Sequence, residues 1–547
     1  MKFPFLFRGG RTANTAETAI HVPAELRGQI HIDEINQTVF INEALKRRAH
    51  VLAWLAELRR HPGLATLRVE WELIGTLTER IQQAHHDNAI VSREDAQDAE
   101  VRDEALALLR EGAENGVSDV HIHRKERHTE ILFRINGTLV VAHELTNDHA
   151  DRLLRAMYTL ASSRDSAYSE MEFQDAAVAG DVLKGTGLAN VRIVKGPCLP
   201  VAEGGKFMVM RLQYAKSGGG RRGARTAMEF RTPRRPEGHL KLLEYGFSQA
   251  QIDRILNISI APSGVLICTG PTGSGKTTLL YEGAQHKART QPGRRLVTIE
   301  QPAEYPMPWA IQLDISNALS AEAAGREFKG RLRSALRMDP DDIMVGEIRD
   351  MEVALTTFDA AQTGHFVMTT LHVDDPFDYP LRLQNMDFER LSFRTTCNAS
   401  IVRGIVAQRL LPVLCPHCAV QWSPDDDRMP RQTCQAVLTW GDDPTRIRRT
   451  GPGCEHCLGT GIAGRTAVAE VVETDEQLMS DFVQYGVSIA RHRFRARKDV
   501  DPSMVETAMT RVFAGIVDPY EVTAKVDRIR TRTAVMEERY AGATVGA

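Results

Sequence analysis

The 547-residue sequence lacks any apolar run near the roughly 20 residues that a membrane-spanning helix needs. Its apolar start, Met1 to Phe7, ends at Arg8 and is too short for the core of a signal peptide. Aromatic residues make up only 6% of the chain, and the formal net charge of -3 provides no general attraction for nucleic acid. We therefore expect a globular protein that stays in the cytoplasm.

Cysteine is also scarce, and four of the eight cysteines form two C-x-x-C pairs. In a reducing compartment this spacing favours a metal site over disulfides. We predict a structural zinc site, with a helix inserted between the pairs, made of the four thiolates of Cys415, Cys418, Cys454 and Cys457. His121 and His123 alternate along a predicted strand, but no third ligand is evident nearby, so we interpret them as a surface pair.

A chain of this length is too long for a single core, and its patterns divide it into six parts. Helical and strand patterns alternate in the fourth part, as in βα units on a largely parallel sheet. The predicted parts are a divergent N-terminal module (1–95), a smaller α+β lobe (96–214), a flexible Gly/Arg-rich linker (215–237), an α/β core (238–411), the tetracysteine module (412–470), and C-terminal helices with a tail (471–547).

The most informative stretch follows a short apolar run, Val265–Cys268, that predicts a buried strand. It fits the pattern G-x-x-x-x-G-K-[ST], and a helix is predicted directly after it. The glycines allow backbone N–H groups to surround phosphate oxygens, and the helix N-terminus adds a positive dipole end. We predict ATP binding, with Lys276 at the β- and γ-phosphates and the Thr277 hydroxyl as a ligand to Mg²⁺. The predicted nucleotide-binding residues are Gly270, Pro271, Thr272, Gly273, Ser274, Gly275, Lys276, Thr277 and Thr278.

Three further apolar strands are predicted downstream, and acidic or histidine residues flank their ends. In open α/β sheets, ligand-binding groups collect at the carboxyl ends of the strands. We predict that Glu347 holds Mg²⁺, and that Glu300 or Glu304 orients or deprotonates the attacking water. His365 and His372 are predicted to sense the γ-phosphate by hydrogen bonding.

Together these motifs resemble the secretion-type ATPases of type II secretion and type IV pilus assembly, over residues 96–530. The acidic box of that family, T-x-E-D-P-x-E, appears as Thr298 to Glu304, with Gln301 in the position of the aspartate. The histidine box appears as Thr363 to His372. The paired cysteines are typical of the assembly branch of the family.

The resemblance implies a RecA-like phosphate-loop core and a PAS-like lobe that together clamp ATP in a homohexamer. It implies that Glu304 is the catalytic glutamate, that Glu347 belongs to Walker B, and that arginines of the lobe complete the site. The candidate arginines are Arg134, Arg192 and Arg211. Hydrolysis would drive an inner-membrane platform protein from the cytoplasmic face. The divergent residues 1–95 suggest a system such as a conjugative thin pilus.

Two other functions stay open. A nucleic-acid translocase could use the same core, but the cysteine pairs lack flanking basic and aromatic clusters, so no nucleic-acid partner is expected. A nucleotide-gated adaptor with little turnover is the second alternative, because Gln301 removes a charge beside the metal. Phosphate release measured with and without lipid or DNA separates the three functions.

Overall fold

The computed structural model describes residues 93–215, 230–315 and 320–544, and in the first 92 residues it describes 2–3, 20–21, 23, 26, 29–33, 38–60, 67–73, 76–77 and 80. The chain divides into two units, residues 1–100 and 101–547, and each is described by itself.

The first unit contains a three-stranded sheet with one helix packed on it. Its elements are β1 (Lys2–Phe3), β2 (Ile20–His21), β3 (Ile30–Asp33), β4 (Thr38–Asn42), α1 (Ala49–Leu58) and β5 (Arg68–Glu72). The strand order is β3-β4-β5, with β3 antiparallel and β5 parallel to β4. Trp54 and Leu55 of α1 are buried against Val39 and Ile41, whereas Leu52 of the same helix is 49% exposed. The buried stripe of this helix therefore includes Trp54 and Leu55 but not Leu52.

The second unit begins within the first helix of an α+β lobe. Its elements are α2 (Arg93–Glu114), β6 (Asp119–Arg124), β7 (Thr129–Ile135), β8 (Thr138–Leu145), α3 (Asn147–Thr159), β9 (Ser163–Arg164), β10 (Gln174–Ala179), β11 (Leu188–Pro197) and β12 (Lys206–Tyr214). The strands form one antiparallel sheet in the order β8-β7-β6-β12-β11-β10-β9. Residues of α2 and α3 are buried with Val120, Ile122 and Phe133, so both helices cover the same face of this sheet.

The other face of the lobe sheet packs against the α/β core. Phe207 and Val209 belong to the same buried cluster as Ile311 and Leu313 of the core. His121 and His123, 0% and 2% exposed, lie in this interface, so the interpretation of a surface pair is wrong. The alternating pattern of residues 118–123 predicts the strand, but it does not show that a second layer covers this face of the sheet.

The α/β core supplies six parallel strands. Its elements are α4 (Leu242–Tyr245), α5 (Gln249–Ser259), β13 (Gly264–Thr269), α6 (Lys276–Thr290), β14 (Leu296–Glu300), β15 (Ile311–Asp314), α7 (Ala321–Ala335), β16 (Asp342–Val345), α8 (Met351–Gln362), β17 (Phe366–Leu371), α9 (Tyr379–Gln384), α10 (Phe393–Thr396) and β18 (Val402–Leu414). The sheet order is β15-β14-β16-β17-β13-β18-β21, where β21 (Ile462–Glu473) is antiparallel to β18. The strands β13, β14, β16 and β17 are almost entirely buried, as expected for strands covered on both faces.

The tetracysteine segment is an excursion between two neighbouring strands of this sheet. It contains β19 (Val420–Gln421), α11 (Arg431–Leu438) and β20 (Arg448–Arg449). Because β18 and β21 pair from Gly404↔Glu473 to Leu414↔Ile462, both ends of the predicted range 412–470 belong to the central sheet. The helix expected between the cysteine pairs is α11.

Four helices end the described chain. They are α12 (Glu476–Arg495), α13 (Met504–Phe513), α14 (Pro519–Lys525) and α15 (Arg532–Thr544). Val512 of α13 and Val522 of α14 are buried with Trp422 and Val437 of the tetracysteine segment. Among the described residues, no helix combines the length and apolar character that crossing a membrane requires.

A buried ion cluster holds the amino end of β16 against the end of α6. The Asp342 carboxylate accepts two hydrogen bonds from Arg294, at 2.8 and 2.9 Å, and its Oδ1 lies 2.6 Å from Lys287 Nζ. The side chains of Asp342 and Lys287 are only 4% and 7% exposed. Removing one charge from such a buried group leaves the others uncompensated.

We predict that Asp342→Asn destabilises the protein by about 3 kcal/mol, because two cations lose the buried carboxylate that they contact directly. The thermal midpoint, followed by scanning calorimetry, is expected to fall by about 3 °C, because the entropy of unfolding of a unit of this size is large. Asp253→Asn is the matched control, since Asp253 is exposed on α5 and accepts one bond from Gln249. Equal midpoints for the two variants would contradict a structural role of this cluster.

Candidate functional site

The predicted phosphate loop connects the buried strand β13 to the helix α6. Gly270, Gly273 and Gly275 have φ of 143°, 77° and 86°, values that side-chain-bearing residues rarely adopt. A Cβ atom at Gly270 would lie 2.6 Å from both the Gln408 carbonyl oxygen and Ser274 Oγ. The loop therefore needs glycine for its backbone conformation and for its close packing on β18.

Lys276 is the first residue of α6 and its side chain curls over the loop. Its Nζ donates hydrogen bonds of 2.9 Å to the carbonyl oxygens of Gly270 and Pro271. Burial lowers the pKa of Lys276, and the nearby Glu347 carboxylate opposes that shift. An ammonium held this way is a strong donor to an anion that enters the loop.

A carboxylate, an imidazole and a guanidinium meet beyond the ends of β16 and β17. Glu347 Oε1 lies 3.3 Å from His372 Nε2, and Arg349 Nε donates to Glu347 Oε2 at 2.7 Å. Burial, with a smaller effect of Lys276, lowers the pKa of His372, so this imidazole is neutral at pH 7. Gln301 accepts a hydrogen bond from Arg349 at 3.0 Å, so an uncharged amide holds the guanidinium where the motif would place an aspartate.

The two glutamates of the acidic box have different environments. Glu300 is 3% exposed and accepts hydrogen bonds from Thr298 Oγ1 at 2.7 Å and Gln312 Nε2 at 3.0 Å. Burial raises the pKa of Glu300. Glu304 lies in the following loop and is exposed. Of the pair, Glu304 is thus better placed to contact a water molecule, and Glu300 supports the end of β14.

One open cleft of about 470 Å³ joins these groups. Of the residues predicted for the site it contains Thr272 to Thr278, Glu300, Glu304, Glu347 and His372. Arg349 and Arg465 also line it, and the sequence reasoning assigned neither to the site. Arg349 could have been found because it lies two residues after Glu347. Arg465 comes from β21, 118 positions after Glu347, and no local pattern connects the two.

The structure places His365 away from this cleft, which corrects the prediction that it senses a γ-phosphate. Its carbonyl accepts from Gly264 N at the start of β13, and its Nδ1 lies 3.0 Å from the Ala360 carbonyl oxygen. His365 precedes β17 and His372 follows it, so about 20 Å of extended strand separates them. Only His372 lies at the carboxyl edge of the sheet.

The three candidate arginines of the lobe do not line the cleft either. Arg134 is 8% exposed and donates to Asp341 at 3.0 and 3.2 Å as well as to the Asp339 carboxylate. Arg211 contacts Asp119 at 2.8 Å and Asp339 at 3.4 Å. Arg192 is exposed and pairs in register with Arg211.

Electrostatic attraction explains why Arg134 and Arg211 lie away from the cleft. Asp339 and Asp341 lie just before the amino end of β16, at the sheet edge opposite the phosphate loop. These acidic side chains attract Arg134 and Arg211 to that edge. Within one chain, the expectation that lobe arginines complete the nucleotide site is therefore not met.

The four paired cysteines converge in a second cluster. Their sulfurs lie 3.7 Å apart for Cys415 and Cys454, 3.8 Å for Cys418 and Cys457, and 3.7 Å for Cys454 and Cys457. Tetrahedral coordination with metal–sulfur bonds of about 2.3 Å requires sulfur–sulfur distances of about 3.8 Å. The backbone N–H groups of Cys454 and Gly461 donate to Cys457 Sγ at 3.1 Å, which stabilises a thiolate. The donor set and its spacing fit a tetrahedral metal ion.

Comparison with known proteins shows the family. The model for type II/IV secretion system proteins matches residues 222–527, more than half of the chain. The chain belongs to this family. Type II secretion system protein E of Aeromonas hydrophila is 31% identical over 76% of this chain and 74% of its own length. The type IV pilus assembly ATPase PilB of Thermus thermophilus is 28% identical over 76% of this chain, which spans 42% of that relative's length.

These relatives confirm the resemblance to secretion and pilus-assembly ATPases that the motifs predicted. Among solved structures, the pilus retraction motor PilT with bound ADP covers 80% of this chain and 96% of its own, at 20% identity and a TM-score of 0.37.

We predict that His372→Ala lowers the rate of ATP hydrolysis at least tenfold, because a hydrogen bond to a charged group in the cleft is lost. His365→Ala is the matched control and is expected to change the rate less than twofold, since this ring lies at the other edge of the sheet. Steady-state phosphate release measures both. The reverse order of the two effects would show that the cleft is assigned to the wrong edge.

Proposed function

We propose that this protein is an ATP-hydrolysing motor that powers assembly of a type IV pilus or a type II secretion pseudopilus. One observation carries the proposal: the phosphate loop, Glu304, Glu347 and His372 line a single cleft. Phosphoryl transfer to water requires groups that bind the β- and γ-phosphates, a metal ion, a positioned water molecule, and positive charge that stabilises the transition state. Each requirement has a residue in this cleft.

Lys276 and the loop N–H groups are proposed to bind the β- and γ-phosphates. The Thr277 hydroxyl and Glu347 would hold Mg²⁺, which neutralises charge on the phosphates. Glu304 would orient or deprotonate the attacking water. His372 is neutral, and a neutral imidazole still has one N–H group that can donate a hydrogen bond to a γ-phosphate oxygen. Arg349, held by Glu347 and Gln301, is a cation available within the same chain.

We further propose the assembly that the family resemblance implies. In it the chain forms a homohexamer on the cytoplasmic face of the inner membrane and acts on a platform protein there. The RecA-like description of the core is proposed on the same basis, with support from the parallel sheet and the phosphate loop at the carboxyl end of β13. Arg134, Arg192 and Arg211 would complete a nucleotide site only in an arrangement of the lobe different from the one described.

Lys276→Ala and Glu304→Gln test the nucleotide site. Lys276→Ala is expected to abolish both ATP binding and turnover, because the donor at the phosphates is removed. Glu304→Gln should keep ATP binding and lower turnover about 100-fold, as expected for loss of a group that handles the water proton. Binding is measured by fluorescence titration with an ATP analogue, and turnover by phosphate release.

Glu300→Gln is the control for the acidic box, because its side chain is buried and bonded to neighbours. If Glu300→Gln loses turnover and Glu304→Gln does not, the base is assigned to the wrong carboxylate. Turnover that requires DNA would favour the translocase, and ATP binding without turnover in the wild-type protein would favour the adaptor.

We propose that the tetracysteine cluster binds one structural zinc ion. The cluster lies at the end of the β18–β21 pair. The segment between the cysteine pairs has its own small hydrophobic core, which it shares with the C-terminal helices. Because metal binding and folding are coupled in such sites, the ion would hold the excursion in its fold.

The zinc site is tested by metal analysis and thermal unfolding of Cys457→Ser. We expect about one zinc per chain in the wild type, less than a tenth of that in the variant, and a lower thermal midpoint. Cys434→Ser is the control, since this buried thiol lies on α11 outside the cluster. Equal zinc content in the two variants would exclude a four-thiolate site.

A further inference from the structure

The strand β18 continues past the end of its neighbour β13. The two strands pair as far as Thr269↔Ala407, after which β13 turns into the phosphate loop and β18 runs on to Leu414. The residues of β18 after Ala407 therefore lie beside the loop. Gln408 is the first of them and is 2% exposed.

Gln408 makes a direct contact with the loop backbone. Its Nε2 donates a hydrogen bond of 2.6 Å to the carbonyl oxygen of Ser274. The same nitrogen would lie 2.8 Å from a Cβ atom added at Gly275. Because the acceptor is a carbonyl, the amide nitrogen and not the amide oxygen must face it. The contact is thus a specific hydrogen bond in a tightly packed place.

The bond controls the direction of the next peptide N–H. In a trans peptide the C=O and the N–H point in opposite directions. Holding the Ser274 carbonyl against β18 turns the Gly275 N–H away from β18, toward the side of the loop that faces the cleft. With φ of 86°, Gly275 has a conformational freedom that other residues lack, so its peptide needs an external constraint.

The neighbouring residue, Arg409, joins the same strand to the segment that follows β17. Arg409 Nη1 donates to the Gln408 carbonyl at 3.0 Å, and its Nη2 donates to the backbone and side-chain oxygens of Asp374 at 3.0 and 2.9 Å. Asp374 follows His372 by two residues. Gln408 is therefore held by a rigid strand and not by a mobile loop, as orienting a backbone group requires.

We propose that Gln408 is a positioning residue that orients the peptide between Ser274 and Gly275 so that its N–H donates to a bound nucleotide phosphate. The inference rests on the proposed ATP-binding function. Gln408 does not touch the nucleotide. It acts through the phosphate loop, and its contribution is made equally to substrate and product complexes.

The test compares Gln408→Met with Gln251→Met. Methionine keeps the length of glutamine but cannot donate a hydrogen bond. Gln251 is a matched control, because it is also 2% exposed and its Nε2 also donates to a backbone carbonyl, that of Ala469 at 2.9 Å, outside the cleft. Binding of a fluorescent ADP analogue, the KM and kcat for ATP, and the thermal midpoint are measured for both.

For Gln408→Met we expect the Kd for the ADP analogue and the KM for ATP to rise about tenfold, with kcat within twofold of the wild type, since uniform binding is lost. Gln251→Met should lower the thermal midpoint and leave Kd and KM unchanged. Gln408→Asn, whose amide is too short to reach Ser274, should weaken binding similarly and serves if the methionine variant does not fold.

An unchanged Kd in the Gln408 variants, or an equal rise in Gln251→Met, would overturn the positioning role. A wild-type protein that binds no ADP analogue would instead overturn the proposed function, and this inference with it. Because the first result compares variants and the second concerns the wild type alone, the two failures are distinguishable.

Discussion

The parallel pairing of β13, β14, β16 and β17 is the constraint on which the candidate site depends. In a parallel sheet all strands end at the same edge, so the residues that follow each strand become neighbours. Residues as distant in the chain as Lys276, Glu304 and His372 therefore line one cleft. Six residues with charged side chains line this cleft, and the apolar strands behind them keep those charges at the carboxyl end of the sheet.

A second contact stabilises this geometry from the opposite edge. Lys287, near the end of α6, is paired with Asp342 at the start of β16. The other ends of these two elements carry Lys276 and Glu347. The two elements are joined at one end and also share a buried apolar cluster, so they hold the groups at their other ends at a defined separation. The distance between Lys276 and Glu347 is in this way set by the packing of the core.

Much of this site could be predicted from sequence because its motifs are local. The phosphate loop has fixed spacing within eight residues, and Glu300, Glu347 and His372 lie at the ends of apolar runs or within two residues of them. His365 shows the limit of that reasoning. It flanks the same strand as His372, but at the amino end, and a short apolar run does not by itself show which flank faces the ligand. The prediction for Arg134 and Arg211 was wrong for a different reason. Their acidic partners, Asp339 and Asp341, belong to another layer of the fold, and the sequence does not show that the two layers meet there.

The sequence by itself determined the chemistry that this protein carries: a glycine-rich loop with its lysine, carboxylates after buried strands, and two cysteine pairs. Each of these motifs lies within a few consecutive residues, so the covalent geometry of the chain fixes the distances between its members. Only the tertiary structure decided which distant residues share a surface. Gln408 and Arg465 reach the loop or the cleft through strand order and strand length, and the sulfurs of Cys415 and Cys454 meet because β18 and β21 are neighbours. Strand order depends on packing between segments far apart in the chain, and no local pattern encodes it.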